Sequence, residues 1–397
     1  FYNVTLVLRM VGGFWANLDP YLEEAARTLG ASPWRAFREI TLPLLTPALS
    51  AAGLLTFIFC FTSFGVVLIL GGPRFATLEV EIYRQTVNFA DLPTAAVLSL
   101  LQIAFTLVLT LIYTRLQARV SRPLDLRSRR ATQRTPQTWG DRAFVAANVV
   151  VLLLLLSLPL LTLVARSFDA GLRYYMALFE NPRRSIFYVP PFAAVKNSVM
   201  FALATTSVAL LLGLLTSLAL YRRRGGGWMD ALFMLPLGTS AVTLGLGYLV
   251  ALDQPPLDLR GTPALIVIGH TLVALPFVVR SLLPALQAIQ PALREAAATL
   301  GASPRQVFVD VDLPIIWRAL AAGAVFAFTV SLGEFGATSM IARPELPTIP
   351  IAIYRFLLQP GALNYGQALA MSTILMTVCV VGFVTMERLR PPGVQTF

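Results

Sequence analysis

The sequence predicts an all-α, polytopic membrane protein built from two copies of one domain in a parallel repeat. Three observations predict it. The 397 residues are 56% hydrophobic and 13% charged, with mean hydropathy +0.72, whereas a soluble domain carries about 25% charged residues. The apolar residues gather into runs long enough to cross a bilayer as helices. Residues 20–65 also match residues 291–336 at 20 of 46 positions without a gap, at a spacing of 271. Pro73, Thr77, Tyr83 and Arg84 match Pro344, Thr348, Tyr354 and Arg355 at the same spacing. A period this long is no solenoid repeat, so each copy is most of a domain.

The runs place about nine transmembrane helices at 1–16 (incomplete), 48–70, 93–115, 143–166, 194–221, 230–252, 263–286, 319–341 and 365–386. The 27 prolines and 26 glycines are compatible with this, because membrane spans tolerate both. The net charge is +11, but eight of the arginines fall in 115–142 and three more at 222–224, between apolar runs. Positive charge there marks cytoplasmic loops. It implies attraction to anionic membrane lipid and no nucleic-acid partner. With 116–142 inside, segments 17–47, 222–229, 287–318 and the C-terminus fall inside. Segments 71–92, 167–193, 253–262 and 342–364 fall outside. The orientation that 116–142 alone dictates also places the arginines at 222–224 inside. Both repeated segments share a side, so the repeat is parallel rather than inverted.

The expected organisation is therefore the C-terminal part of a first repeat at 1–120, a basic cytoplasmic linker at 121–142, and a second repeat at 143–397. The second copy carries six spans and the first only three. Phe1 stands in the middle of an apolar stretch, so the first copy is expected to lack its opening three spans and its native N-terminus. Cys60 and Cys379 lie in apolar runs and make no disulfide framework or metal pattern.

The repeated segment reads LEEAARTLGASP at 22–33 and LREAAATLGASP at 293–304. Pro20 and Pro291 suit the first position of a helix, and Asp19 caps the former. Glu24 and Glu295 lie in first turns, where a carboxylate meets the helix dipole favourably. Ala25, Ala26, Ala296 and Ala297 favour helix and leave a low surface for another chain. Gly30 and Gly301 stop that helix in the left-handed conformation. Ser32-Pro33 and Ser303-Pro304 start a second one, carrying Phe37 and Phe308. Pro43 and Pro314 are expected to end it before the next span. Two readings stand: a hairpin that merely connects spans, or a shared binding element. Identical spacing in both copies favours binding, because connectors tolerate insertions.

EAARTLG at 24–30, with ITLP ending at Pro43, and EAAATLG at 295–301, with VDLP ending at Pro314, resemble the cytoplasmic loop of binding-protein-dependent ABC importer permeases. The resemblance covers both halves. It implies that 17–47 and 287–318 are coupling loops seated on two copies of an ABC ATPase subunit. Glu24, Ala25, Ala26 and Gly30 would carry that role, with Glu295, Ala296, Ala297 and Gly301. It further implies an extracytoplasmic substrate-binding protein and a multi-pass place in the bacterial cytoplasmic (inner) membrane. Two fused halves are similar to the thiamine and ferric-iron importer group. FCFTSFGVVLILGGP at 59–73, followed by TLEVEIYRQ at 77–85, is most similar to the thiamine permeases. Thiamine or a thiamine phosphate is the favoured solute, with ferric iron or another small solute as the alternative.

No P-loop is present. The one lysine, Lys196, follows no glycine loop, and the glycines at 225–227 precede no lysine. The chain is expected not to be an enzyme, with ATP and magnesium held by the partner ATPase. His270, the sole histidine, excludes a multi-histidine metal site and fits a satisfied, helix-bonded residue better than a ligand. Arg9 and Arg280, at equivalent positions, are expected to snorkel. Glu334, in SLGEFG, stands where the first copy has Ser63. Ser63 and Glu334 are the candidate solute-pathway residues; an acid inside a span contacts solute along a water-filled path or pairs structurally, and for Glu334 the structural reading is preferred. An ion-driven secondary transporter would be expected to carry several such acids, so it ranks below the importer. A non-transporting scaffold is the other rival.

Overall fold

A computed structural model describes residues 3–16, 18–72, 74–120, 136, 138–180, 189–222, 233, 236, 239–252, 258–259 and 262–389. Linker residues 121–135, arginines 223 and 224, glycines 225–227 and Arg390 lie outside them, as does the side chain of Arg222. Among the described residues the regular structure is helical throughout. In chain order the helices are α1 Val4–Trp15, α2 Pro20–Thr28, α3 Pro33–Phe61, α4 Gly65–Leu70 and α5 Leu78–Tyr83. There follow α6 Leu92–Val120, α7 Trp139–Ser167, α8 Arg173–Met176, α9 Ala193–Arg222, α10 Ala241–Ala251 and α11 Ala264–Gln287. The last are α12 Pro291–Thr299, α13 Pro304–Gly333, α14 Gly336–Ile341, α15 Ile349–Leu357 and α16 Ala362–Leu389.

Each of the nine expected spans holds an apolar helix. Among the described residues seven of them (α3, α6, α7, α9, α11, α13 and α16) have spanning length, while α1 and α10 are shorter. The structure corrects the expected spans at 48–70 and 319–341, which are not continuous. Each is broken near its far end: α3 stops at Phe61 and α4 starts at Gly65, while α13 stops at Gly333 and α14 starts at Gly336. The breaks fall at equivalent positions of the two copies. Unbroken hydropathy hides them, because a chain that leaves helical geometry for two or three residues changes no composition.

A second correction concerns Pro43 and Pro314, which do not end a helix. The helix entered at Pro33 runs through a π turn, Phe37–Thr41, into the span; the one entered at Pro304 runs through Phe308–Asp312. The Leu42 amide bonds the Phe37 carbonyl and the Leu313 amide bonds that of Phe308, each five residues back. Proline ordinarily breaks a helix because it lacks an amide hydrogen and its ring strikes the carbonyl four residues earlier. The wider turn moves that carbonyl aside, so the proline is accommodated two residues after the turn.

The residues pack as two compact units, one of 1–63 with 100–162 and one of 64–99 with 163–396. In the first, α1 packs on α3. In the second, α9, α11 and α13 pack mutually, as do α10 on α14 and α15 on α16. Small residues allow this: Ala209, Ala274 and Ala327 are fully buried with Val278 and Leu282. A Cβ at Gly213 would stand 2.5 Å from Val278 Cγ1, so α9 and α11 touch through a glycine. Membrane helices associate by such close approach, since lipid is as apolar as their side chains. Helix α7 is apolar with none of its spanning window buried, as suits a helix whose solvent is lipid.

The segment 71–92, expected as an outer loop, is instead largely helical and built into the second unit. Helix α5 continues through a π turn, Arg84–Asn88, and Val80 and Ile82 are fully buried. They join Phe201, Val242, Leu246, Leu265 and Ile266 in one core.

Candidate functional site

The two repeated hairpins close in the same way. Gly30 has φ +90° and Gly301 φ +88°, the left-handed region expected of both. The Ala31 amide donates to the Ala26 carbonyl and the Gly30 amide to that of Arg27. Ala302 to Ala297 and Gly301 to Ala298 repeat this pattern, a Schellman closure that satisfies the last carbonyls of the helix. The Thr28 and Thr299 hydroxyls each donate to the carbonyl three residues back, both at 2.7 Å. Asp19 caps α2 through the Tyr21 amide, while Gln290 makes no side-chain cap on α12. Ser32 accepts from the Arg35 amide, and Ser303 forms a full capping box with Gln306.

The exposures also repeat. Glu24, Ala25, Glu295 and Ala296 are exposed, and Ala26 and Ala297 are half-buried. At the bend, Leu29 and Leu300 are each 89% exposed. A Cβ added at Gly30 or Gly301 would meet nothing within 4 Å, so the glycines answer backbone conformation, not crowding. An apolar tip beside a carboxylate and a low alanine face is a surface awaiting a cover.

The copies differ at their bases. Arg294 on α12 donates to Asp312 Oδ1 at 2.7 Å and to the Tyr221 hydroxyl, with its guanidinium 4.7 Å from the Tyr221 ring centre. Burial would lower the Arg294 pKa, but the bonds from Asp312 and Tyr221 outweigh it and raise it. This brace ties the second hairpin to the π turn of α13 and to the end of α9. The first copy has Glu23 and Thr41 at those positions, and carries instead an exposed Arg35–Glu39 pair at 3.1 Å, of little energetic weight. Sequence reasoning missed the brace, although the departures of 294 and 312 from the repeat were the available signal. Arg294→Ala is expected to destabilise the second hairpin by about 2 kcal/mol, through an orphaned carboxylate and a lost ring contact. Faster proteolysis within 287–318, with the first hairpin unaffected, checks this; equal protection would refute it.

A buried cluster lies at the break between α13 and α14. Glu334, 7% exposed, adopts an extended conformation (φ −68°, ψ 123°). Its carboxylate accepts the amides of Ala337 and Thr338, both at 2.9 Å, and the Thr338 hydroxyl. It therefore caps the helix after the break. His270, 1% exposed on α11, bonds Ser331 Oγ through Nδ1 and Thr338 Oγ1 through Nε2, each at 2.7 Å. Its Nε2 is 3.5 Å from Glu334 Oε2. The single hydroxyl proton of Thr338 goes to the carboxylate, so Nε2 must be the donating nitrogen and Nδ1 accepts from Ser331. His270 is satisfied as expected, but by side chains of α13 and α14 rather than by its own helix. Ser63, at the equivalent place, follows the last turn of α3, its amide donating to the Cys60 carbonyl.

A second buried acid escaped the sequence reading. Glu79, 1% exposed on α5, accepts the Ser240 hydroxyl, while Ser240 Oγ accepts the amides of Val242 and Thr243 at the start of α10. The second copy has Pro350 at that position. Among the described residues no cluster of three metal-ligating side chains occurs.

Residues 1–122 and 192–391 match the family described as binding-protein-dependent transport system inner membrane component. The chain is 26% identical over 410 residues to the thiamine transport system permease protein ThiP of Escherichia coli (strain K12), covering all of this chain and 72% of that protein. It is 30% identical over 198 residues to the putative 2-aminoethylphosphonate transport system permease protein PhnV of Salmonella typhimurium, covering 49% of this chain and 74% of that one. A solved bacterial alginate ABC transporter, in complex with an alginate pentasaccharide-bound periplasmic protein, shares 20% identity at TM-score 0.49, covering 63% of this chain and 92% of that one.

Proposed function

This chain belongs to the family of binding-protein-dependent transport system inner membrane components and is an ABC importer permease; on that premise we propose that it carries thiamine or a thiamine phosphate inward, driven by two ATPase subunits docked on its hairpins. It is a multi-pass protein of the bacterial inner membrane. The observation that carries the coupling reading is the repeated hairpin, closed by the same bonds and exposing the same Leu, Ala and Glu positions in both copies. Glu24, Ala25, Ala26 and Gly30 would meet one ATPase subunit, and Glu295, Ala296, Ala297 and Gly301 the other.

Each hairpin leads without interruption into a long rod. Helix α3 is 29 residues and α13 is 30, so each reaches about 44 Å from hairpin to break at 1.5 Å per residue. When the ATPase pair closes on ATP and magnesium, the hairpins move and the rods follow. ATP then favours one access state by binding it more tightly than the other. A binding protein outside would deliver the solute. Ser63 and Glu334 mark the ends of the two rods, and we assign them to the architecture of the breaks rather than to solute binding.

The thiamine assignment rests on a relative aligned over the whole chain. The test is uptake into proteoliposomes carrying the permease, its ATPase subunits and its binding protein. Thiamine is expected to accumulate only with ATP and magnesium. Accumulation of 2-aminoethylphosphonate or ferric iron instead would overturn the solute assignment, and thiamine uptake driven by a proton gradient without ATP would overturn the coupling.

A further inference from the structure

Four aromatic side chains in the second unit form a closed ring of contacts. Phe64 stacks on Phe335 at 5.3 Å between ring centres and 27° between planes. Phe64 packs on Tyr83 at 5.3 Å, and Phe335 on Tyr354 at 5.5 Å, with similar tilts of 57° and 62°. The Tyr83 and Tyr354 hydroxyls act on each other electrostatically. Phe335 is residue 64 moved by the repeat spacing of 271, and Tyr354 is residue 83 moved by the same amount. Each residue therefore meets its own equivalent.

The surroundings are reciprocal as well. Arg355 acts on Tyr83 and Arg84, its equivalent, acts on Tyr354. Arg84 is held by Glu81 at 3.8 Å and donates to the Gly72 carbonyl at 3.1 Å. A Cβ at Gly65 would stand 3.1 Å from Phe335 Cδ1, so a glycine at that helix start lets the ring lie flat against it. Residues that touch their own equivalents sit on a local two-fold axis. In parallel repeats that axis runs along the membrane normal, and transported solutes pass at the repeat interface.

Both phenylalanines also occupy the breaks. Phe64 lies between α3 and α4, and Phe335 between α13 and α14. A rod that moves at its hairpin end therefore delivers its displacement at one of these two rings. We infer that Phe64, Phe335, Tyr83 and Tyr354 are a closed gate across the transport path, opened when the two breaks carry each ring away from its equivalent. The inference rests on the permease reading, but its test needs neither the solute nor ATP.

The full complex is reconstituted in liposomes, and glycerol entry is followed by light-scattering swelling, with sucrose exclusion as the control for membrane integrity. Wild type is expected to match the lipid background. Phe64→Ala with Phe335→Ala should raise glycerol entry about tenfold while sucrose stays excluded. Phe64→Leu with Phe335→Leu keeps apolar bulk and should give a smaller rise. Tyr83→Phe with Tyr354→Phe removes only the two hydroxyls and should leak least. If the alanine pair fails to assemble, the leucine and tyrosine pairs decide. Wild-type permeability in every assembled variant would overturn the gate. Loss of ATP-driven uptake by wild type would count against the permease reading alone.

Discussion

Uptake driven by ATP is expected to fall to background when Gly30 and Gly301 are both replaced by proline, while the isolated ATPase subunits keep their activity. Proline fixes φ near −65° and lacks an amide hydrogen. The bends require φ of +90° and +88°, and both glycine amides donate, to Arg27 and Ala298. Each substitution therefore loses conformation and bond together, at about 3 kcal/mol, or roughly a hundredfold in the population of the closed hairpin. Gly→Ala at the same sites should cost about 1–2 kcal/mol, the penalty of a side chain in the left-handed region, and give an intermediate defect. Open space around both glycines removes crowding as an explanation. The copies should also differ. The Arg294–Asp312–Tyr221 brace holds the second hairpin at its base, so Gly30→Pro alone should impair uptake more than Gly301→Pro alone. Wild-type coupling in the double variant would refute the lever; equal single defects would remove only the role of the brace.

The hairpins were legible because their determinants are local. A glycine after EAAxTL, a serine before a proline and a proline at a helix start each act within one turn of backbone, so the expected bends and Ser32 and Ser303 caps are present. What failed to show was set at a distance or by subtle geometry. Pro43 and Pro314 read as helix stops because the π turns that admit them leave no compositional trace; Phe37 and Phe308, six residues earlier in both copies, were the signal. Glu79 was hidden in a segment taken for a loop, although TLEVEIYR in one copy corresponds to TIPIAIYR in the other, and Glu79, Val80, Ile82 and Tyr83 are buried in the helical spacing of one face. Phe64 and Phe335 looked like ordinary span residues. Only packing brings a residue onto its own equivalent.

Glu334 is the site of the second large effect, and its expected signature is loss of stability rather than loss of solute recognition. The carboxylate satisfies two amides and one hydroxyl in a place where water has little access. Glu334→Ala strands both amides, while the Thr338 hydroxyl keeps the backbone carbonyl of residue 334 at 3.3 Å; each orphaned buried donor costs about 1–3 kcal/mol, so a loss of about 3 kcal/mol is expected. Glu334→Gln is milder but still disruptive. Its oxygen can take the Ala337 amide, which leaves its NH2 group facing the donors of Thr338. The Thr338 hydroxyl must then accept from the amide, so it no longer has its proton directed at residue 334. His270 can follow only by exchanging tautomers, with Nε2 accepting and Nδ1 donating to Ser331. The glutamine variant should therefore melt at lower temperature in detergent than wild type, by about 5 °C, and the alanine variant lower still. Uptake per assembled molecule should stay near wild type for Glu334→Gln, because the carboxylate points at a helix end. Wild-type stability combined with abolished uptake would make Glu334 a solute ligand and overturn its place as the cap that restarts a broken span.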